Sequence, residues 1–199
     1  MKRLIVLLIT LFAMPSFAGA PGPGTTAVKS ANEKISGLLK QKVTAGSKEE
    51  KDLAGKVTGS VRDFLDIDEL GKRAMGEQWA KLTPAQQQEF QTTLRELIEA
   101  NYINGLRSNL DYSIDYSGES TEAGNTIVTT QINTKRHNRP YKIEVDYVLK
   151  KDGDKLKAWD VKTDGLSLVD NYHEQFTKII EKDGFAGLIA KMKKKQQGT

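Results

Sequence analysis

The residues able to do covalent or metal chemistry are few and badly spaced for it. The chain has two histidines and no cysteine, which removes thiol catalysis, disulfides and thiolate-bound metals together. His137 lies in Lys135-Arg136-His137-Asn138-Arg139-Pro140, a basic, polar stretch whose imidazole reads as solvated. His173 stands between Tyr172 and Glu174, with no second histidine or cysteine at ligand spacing to build a metal site. Gly165-Leu166-Ser167-Leu168-Val169 has the Gly-x-Ser of a nucleophile elbow but not its closing glycine; Ser167 reads instead as a helix N-cap. Asp111 and Asp115 alternate with apolar residues and fall on a wet strand face, where a carboxylate pair lacks the burial that acid–base work needs. Asp160, between Trp159 and Val161, interrupts an apolar strand and reads as buried and paired, with an arginine or a helix N-terminus. No phosphate loop or dinucleotide fingerprint occurs. This inventory describes a protein that is not an enzyme and carries no metal or cofactor.

The first residues set the compartment. Lys2 and Arg3 precede an apolar run from Leu4 to Phe12, then Pro15 and the small-residue site Ser16-Phe17-Ala18, the three parts of a secretory signal. Cleavage after Ala18 fits best, because the alternative Ala18-Gly19-Ala20 site would put Pro21 just behind the cut. A membrane span needs about 20 apolar residues, roughly twice this run. The formal net charge of +4 halves once Lys2 and Arg3 are removed. The four lysines Lys191, Lys193, Lys194 and Lys195 more than account for the remaining +2 and leave the body near −2, so it lacks the basic, aromatic-interleaved face of a nucleic-acid binder. Those lysines either end and solubilise a helix or touch an anionic membrane surface, each then contributing about 1 kcal/mol. The expected organisation is a signal peptide over 1–18, a flexible leader over 19–24, one domain over 25–195 and a tail over 196–199. Pro21-Gly22-Pro23-Gly24 carries the leader, since it cannot hold regular structure.

Two periodicities divide the domain. Val28, Ile35, Leu38 and Leu39 mark a helix ending near Ala45-Gly46. Ser47-Lys48-Glu49-Glu50 is a capping box for a second helix bearing Leu53, Val57, Val61 and Phe64. A shorter helix starts near Asp66 and turns Leu70, Ala74 or Met75, and Trp79 inward. Thr83-Pro84-Ala85-Gln86, with proline at the first helical position, opens a long helix carrying Phe90, Leu94, Leu97, Ile98 and Tyr102 or Leu106. Beyond it the period becomes two. Leu110, Tyr112, Ile114 and Tyr116 alternate with polar residues, as do Tyr141, Ile143, Val145, Tyr147 and Leu149. Thr126–134 and 156–163, the latter after an Asp152-Gly153 turn, complete four antiparallel strands. After Gly165 a helical pattern returns, broken at Asp183-Gly184. Helices, then strands, then helices describe an α+β fold, its helices on one face of a curved four-stranded or slightly larger antiparallel sheet. This pattern is compatible with a solid core and with an apolar pocket.

Two stretches carry a resemblance. Asp66-Ile67-Asp68-Glu69-Leu70-Gly71-Lys72-Arg73-Ala74-Met75-Gly76-Glu77-Gln78-Trp79, continuing to Phe90 through Thr83-Pro84-Ala85-Gln86, resembles the central signature of the MlaC family, also called toluene-tolerance proteins. Trp159-Asp160-Val161 through Gly165-Leu166-Ser167-Leu168, Asn171-Tyr172-His173 and Gln175-Phe176 is similar to that family's later elements, in order. The chain departs at His173, where arginine is common, and at Ile67, where an aromatic is common. The resemblance implies a periplasmic auxiliary component of an ABC transporter that binds phospholipid in an apolar cavity and maintains outer-membrane lipid asymmetry. It implies transient docking on an inner-membrane ABC transporter complex and an outer-membrane lipoprotein complex, and no nucleic acid. On that reading Ile143, Val145, Tyr147, Tyr112 and Ile114, which alternation places on shared faces, line the cavity. Leu166, from the matched Gly-x-Ser-Leu element, and Met75 and Trp79, from the helices, join them. A binding module for another apolar ligand, such as a sterol-like lipid, quinone or solvent, is the alternative. A small enzyme would need a carboxylate or histidine in the pocket, and a structural adaptor would have no cavity.

Overall fold

The computed structural model describes residues 20–44, 46–108, 111–137 and 139–197, with backbone alone over 101–108 and at 197. The expected signal peptide lies outside these residues, as do Ala45, Leu110, Asn138 and the side chains of Tyr102 and Leu106. Four helices come first: α1 (Pro23–Leu39), α2 (Lys48–Phe64), α3 (Ile67–Met75) and α4 (Pro84–Ser108). Strands β1 (Ser113–Glu122), β2 (Asn125–Arg136), β3 (Arg139–Asp152), β4 (Lys155–Thr163) and the two-residue β5 (Leu166–Ser167) follow, then α5 (Leu168–Gln197). The fold is α+β.

Capping chemistry sets most helix starts where the sequence puts them. Ser47 Oγ accepts from the Glu50 amide at 3.1 Å, while the Glu50 carboxylate takes the Gly46 amide at 2.8 Å. Asp66 caps α3 through the Glu69 amide, and Thr83 and Gln86 exchange reciprocal bonds at the head of α4. The start of α1 differs from expectation. Pro23 and Gly24 are helical, inside the stretch read as irregular. The N-cap there is Gly22, without a side chain to cap with. Glu119 of β1 takes that role instead, accepting from Gly24 N at 3.2 Å, Thr25 N at 2.8 Å and Thr25 Oγ1 at 3.0 Å. A cap supplied from 95 residues away leaves no local signal.

The five strands pair antiparallel in the order β1-β2-β3-β4-β5. Two-residue connections at Ala123-Gly124 and Asp164-Gly165 have positive φ at both positions, the backbone that matches strand twist. β1 extends past a bulge between Tyr116 and Gly118 to reach Glu122, well beyond the alternating stretch that marks it in the sequence. The outer edge of β4 is occupied by β5 at one end and by a parallel bridge from Leu65 to Ala158 at the other. Exposed edge groups are reduced on that side.

The helical layer is densely packed. Phe90, Leu94 and Met75 are essentially without exposure, and an aromatic chain runs Trp79, Phe90, Phe176, Tyr172 at centroid spacings of 6.3, 5.5 and 5.2 Å. α3 stops before Trp79, because Gly76 has φ +52° and a Cβ there would lie 2.9 Å from His173 Cε1. A short 3-10 helix, Gly76–Lys81, carries Trp79 instead. Gly184, at φ 69° and ψ −177°, breaks α5 at the expected turn, and Leu188, Ile189 and Met192 return to the core.

Candidate functional site

Strand register decides which side chains meet. Ile114 opposes Ile132, which opposes Ile143; Tyr116 opposes Thr130, which opposes Val145; Val128 opposes Tyr147, which opposes Val161. Directly opposed residues share a face, so these rows form one inner face, the one turned toward α1 and α2. Phe64 of α2 meets Tyr147 at 5.7 Å between ring centroids, and Asn32 of α1 donates to the Tyr116 hydroxyl at 3.4 Å.

Coverage of this face is graded. Val128 and Leu149 are fully buried, and Val145 and Tyr147 nearly so. The Ile114–Ile132–Ile143 row is only half-buried, and Tyr141 beyond it is 38% exposed. The apolar surface therefore continues past the helices toward the β2–β3 turn. Half-covered apolar surface backed by a rigid sheet is where an apolar ligand gains most by excluding water.

Polar groups on the face are sparse and engaged. Thr130 Oγ1 donates to the Val145 carbonyl. Burial pushes the Tyr147 phenol up to about 12, so it stays neutral at any physiological pH. Glu119 is the one carboxylate that the described strand residues place on this face. Burial raises its pKa, but the bonds from Thr25 and Gly24 outweigh that and hold it below the ordinary carboxylate range. A carboxylate so occupied by a helix start is not free for acid–base work.

α1 crosses the inner face with a cleft on each flank. One, of about 810 Å³, lies between α1, α2 and the β3–β4 hairpin, with Ala27, Ala31, Phe64 and Leu156 in its wall and Lys34, Asp63, Lys151 and Lys155 among its lining. The other, of about 300 Å³, lies between α1 and β1 and includes Asn32, Tyr112, Ile114 and Tyr116.

Of the eight residues assigned from sequence, Tyr112, Ile114, Ile143, Val145 and Tyr147 come together here. Met75, buried at the end of α3, and Trp79, against Phe90, belong to the helical layer. Leu166 is 73% exposed on β5, opposite Thr163. Asn32 and Phe64 complete the inner wall without having been singled out as site residues. Asn32 had a signal: it is the polar residue one turn from Val28 on the buried side of an amphipathic helix. Phe64 had none beyond its place in a core stripe.

The other groups with chemical potential have structural employment. Asp160, 3% exposed, accepts from Val161 N, Val169 N and Ser167 Oγ, the last at 2.7 Å. Its partner is thus the start of α5, where Ser167 also caps Asp170 N. His173 Nδ1 lies 3.0 Å from the Ala74 carbonyl oxygen, which makes that nitrogen the donor to the end of α3. Among the described residues no cluster of three metal-ligating side chains occurs, and no helix is long and apolar enough to cross a membrane.

Comparison with known proteins adds three findings. The family model described as MlaC protein matches residues 29–194. The intermembrane phospholipid transport system binding protein MlaC of Haemophilus influenzae is 23% identical over 139 residues, covering 68% of this chain and 64% of that protein. The chain thus spans somewhat less than two thirds of that relative's length. A phospholipid-binding protein from Ralstonia solanacearum, solved with a phospholipid, superposes with a TM-score of 0.66 at 23% identity. That superposition covers 90% of this chain and 98% of the other, and it establishes the shared fold.

Proposed function

We propose that this chain, which belongs to the MlaC protein family, is a non-catalytic periplasmic carrier of phospholipid. It holds acyl chains against the inner face of the sheet and leaves the head group toward solvent. It exchanges this cargo with an outer-membrane lipoprotein complex and an inner-membrane ABC transporter complex, which maintains lipid asymmetry. The observation that carries the reading is the half-buried isoleucine row Ile114–Ile132–Ile143, continuous with a closed apolar interior. Each acyl CH₂ left in water costs about 0.8 kcal/mol, and a surface of this kind removes that cost without directed polar contacts. The name and ligand of the two relatives support the same cargo, and the charged, apolar, small-residue start supports export.

The test is extraction. The protein, expressed with its own N-terminal segment and purified from the cell envelope without detergent, is extracted with organic solvent and its lipids identified by mass spectrometry. Near-stoichiometric glycerophospholipid is the expected result. A quinone or a sterol-like lipid as the main component would move the protein to another apolar cargo. No bound lipid, with none acquired from vesicles, would end the carrier reading.

A further inference from the structure

α1 lies as a strap across the inner face, seated on it by one narrow seam. Val28, Ile35 and Leu39 form its buried seam. Ala27 and Ala31 on one flank face the larger cleft, and Asn32 on the other faces the smaller one. Aromatic rings of α2 and of the inner face stand at both clefts. Phe64 lines the larger cleft while touching Tyr147, and Tyr116 lines the smaller one. Lifting α1 would join the clefts and uncover the inner face along Phe64, Tyr147 and Tyr116.

Its two ends are held differently. The C-terminal end runs into 41–44, without regular structure, and then to Gly46 at φ +78°. The N-terminal end is clamped onto the β1–β2 hairpin by the three hydrogen bonds to Glu119. The approach is so close that a Cβ on Gly24 would lie 2.6 Å from Thr126 Cγ2. Charge-assisted bonds are roughly twice as strong as neutral ones, and because all three here end on one carboxylate, α1 leaves Glu119 only by giving up all of them.

Resting on the carrier reading, we propose that lipid reaches the inner face through the cleft between α1, α2 and the β3–β4 hairpin, and that Glu119 is the latch holding α1 over it. Movement of α1 about its C-terminal end opens the cleft, and re-formation of the clamp closes it.

The chain has no cysteine, so Gly24→Cys with Thr126→Cys offers a single disulfide at a spacing close to what one requires. Transfer of pyrene-labelled phosphatidylglycerol from phosphatidylethanolamine vesicles is timed with this variant oxidised, then reduced. Oxidation is expected to slow transfer by about tenfold or more, with reductant restoring it, as for other lid-gated sites. Equal rates in the two states would overturn the portal. Glu119→Gln needs no new bulk near the helix and is expected to speed transfer several-fold without changing the lipid content of the purified protein. An unchanged or slower rate would overturn the latch. No transfer by the unmodified protein would overturn the carrier reading, and the portal with it.

Discussion

Tyr147 shows how one side chain serves both packing and restraint. Its ring fills the inner face against Phe64, and its hydroxyl lies among Asn32, Tyr116 and Tyr112, inside an otherwise apolar wall. Burial disfavours the phenolate, so the folded protein keeps the proton to a pH of about 12, while an unfolded tyrosine gives it up near 10. The sign follows from linkage. The contribution of this group is intact below pH of about 10 and is lost as pH rises through about 12, a decline of at most about 3 kcal/mol. Denaturant unfolding at stepped alkaline pH, with phenolate absorbance followed in parallel, checks this. Tyr147→Phe should remove its share of the late-titrating phenols and lessen the decline, leaving the part that belongs to Tyr116 and Tyr172, which burial also raises. A Tyr147 that titrates with the exposed tyrosines would contradict its burial.

At the scale of elements, the junctions carry the fold. Asp160 joins three of them: it sits on β4, accepts the Ser167 hydroxyl of β5 and satisfies the Val169 amide at the head of α5. Asp160→Ala strands those donors in a buried place and should cost about 2–4 kcal/mol, the range for a lost cap plus buried unmade hydrogen bonds. Asp160→Asn keeps the shape and an acceptor, and should cost clearly less. Urea midpoints of the two variants measure the difference. Equal, small losses in both would mean that α5 is anchored by its apolar seam alone. Glu119 is the matching junction on the other side of the sheet, tying α1 to β1 from a position that local sequence does not connect with it.

For the molecule as a whole, the inner face is either a solid core or a wall awaiting cargo, and its graded coverage separates those possibilities. Ile143 is half-buried in the half-covered row, so Ile143→Glu places a charge where acyl chains would lie. It should export and fold but purify without phospholipid. Leu166, exposed on β5, should tolerate glutamate within about 0.5 kcal/mol of wild-type stability, with lipid retention weakened less than by Ile143→Glu. Thermal unfolding and lipid content of both variants test this pair. Stoichiometric lipid in Ile143→Glu would remove Ile143 from the site.

The fold class, the helix starts at Ser47, Asp66 and Thr83, the turn at Gly184 and the alternation of β3 were all legible in the sequence. Each rests on a cap, a proline or a period within a few residues. The shared face of Tyr112, Ile114, Ile143, Val145 and Tyr147 was legible too, because alternation fixes sides within a strand and antiparallel pairing fixes them between strands. Legibility ended where the deciding partner is distant in the chain. The early start of α1 depends on Glu119, the stop of α3 on Gly76 meeting His173, and the place of Trp79 on Phe90, which in turn meets Phe176. Which residue types stand at which spacing is likewise a property of the residue list. The grading of apolar surface from closed to half-open was not, because period and composition specify which side chains turn inward and only tertiary packing decides what then covers them.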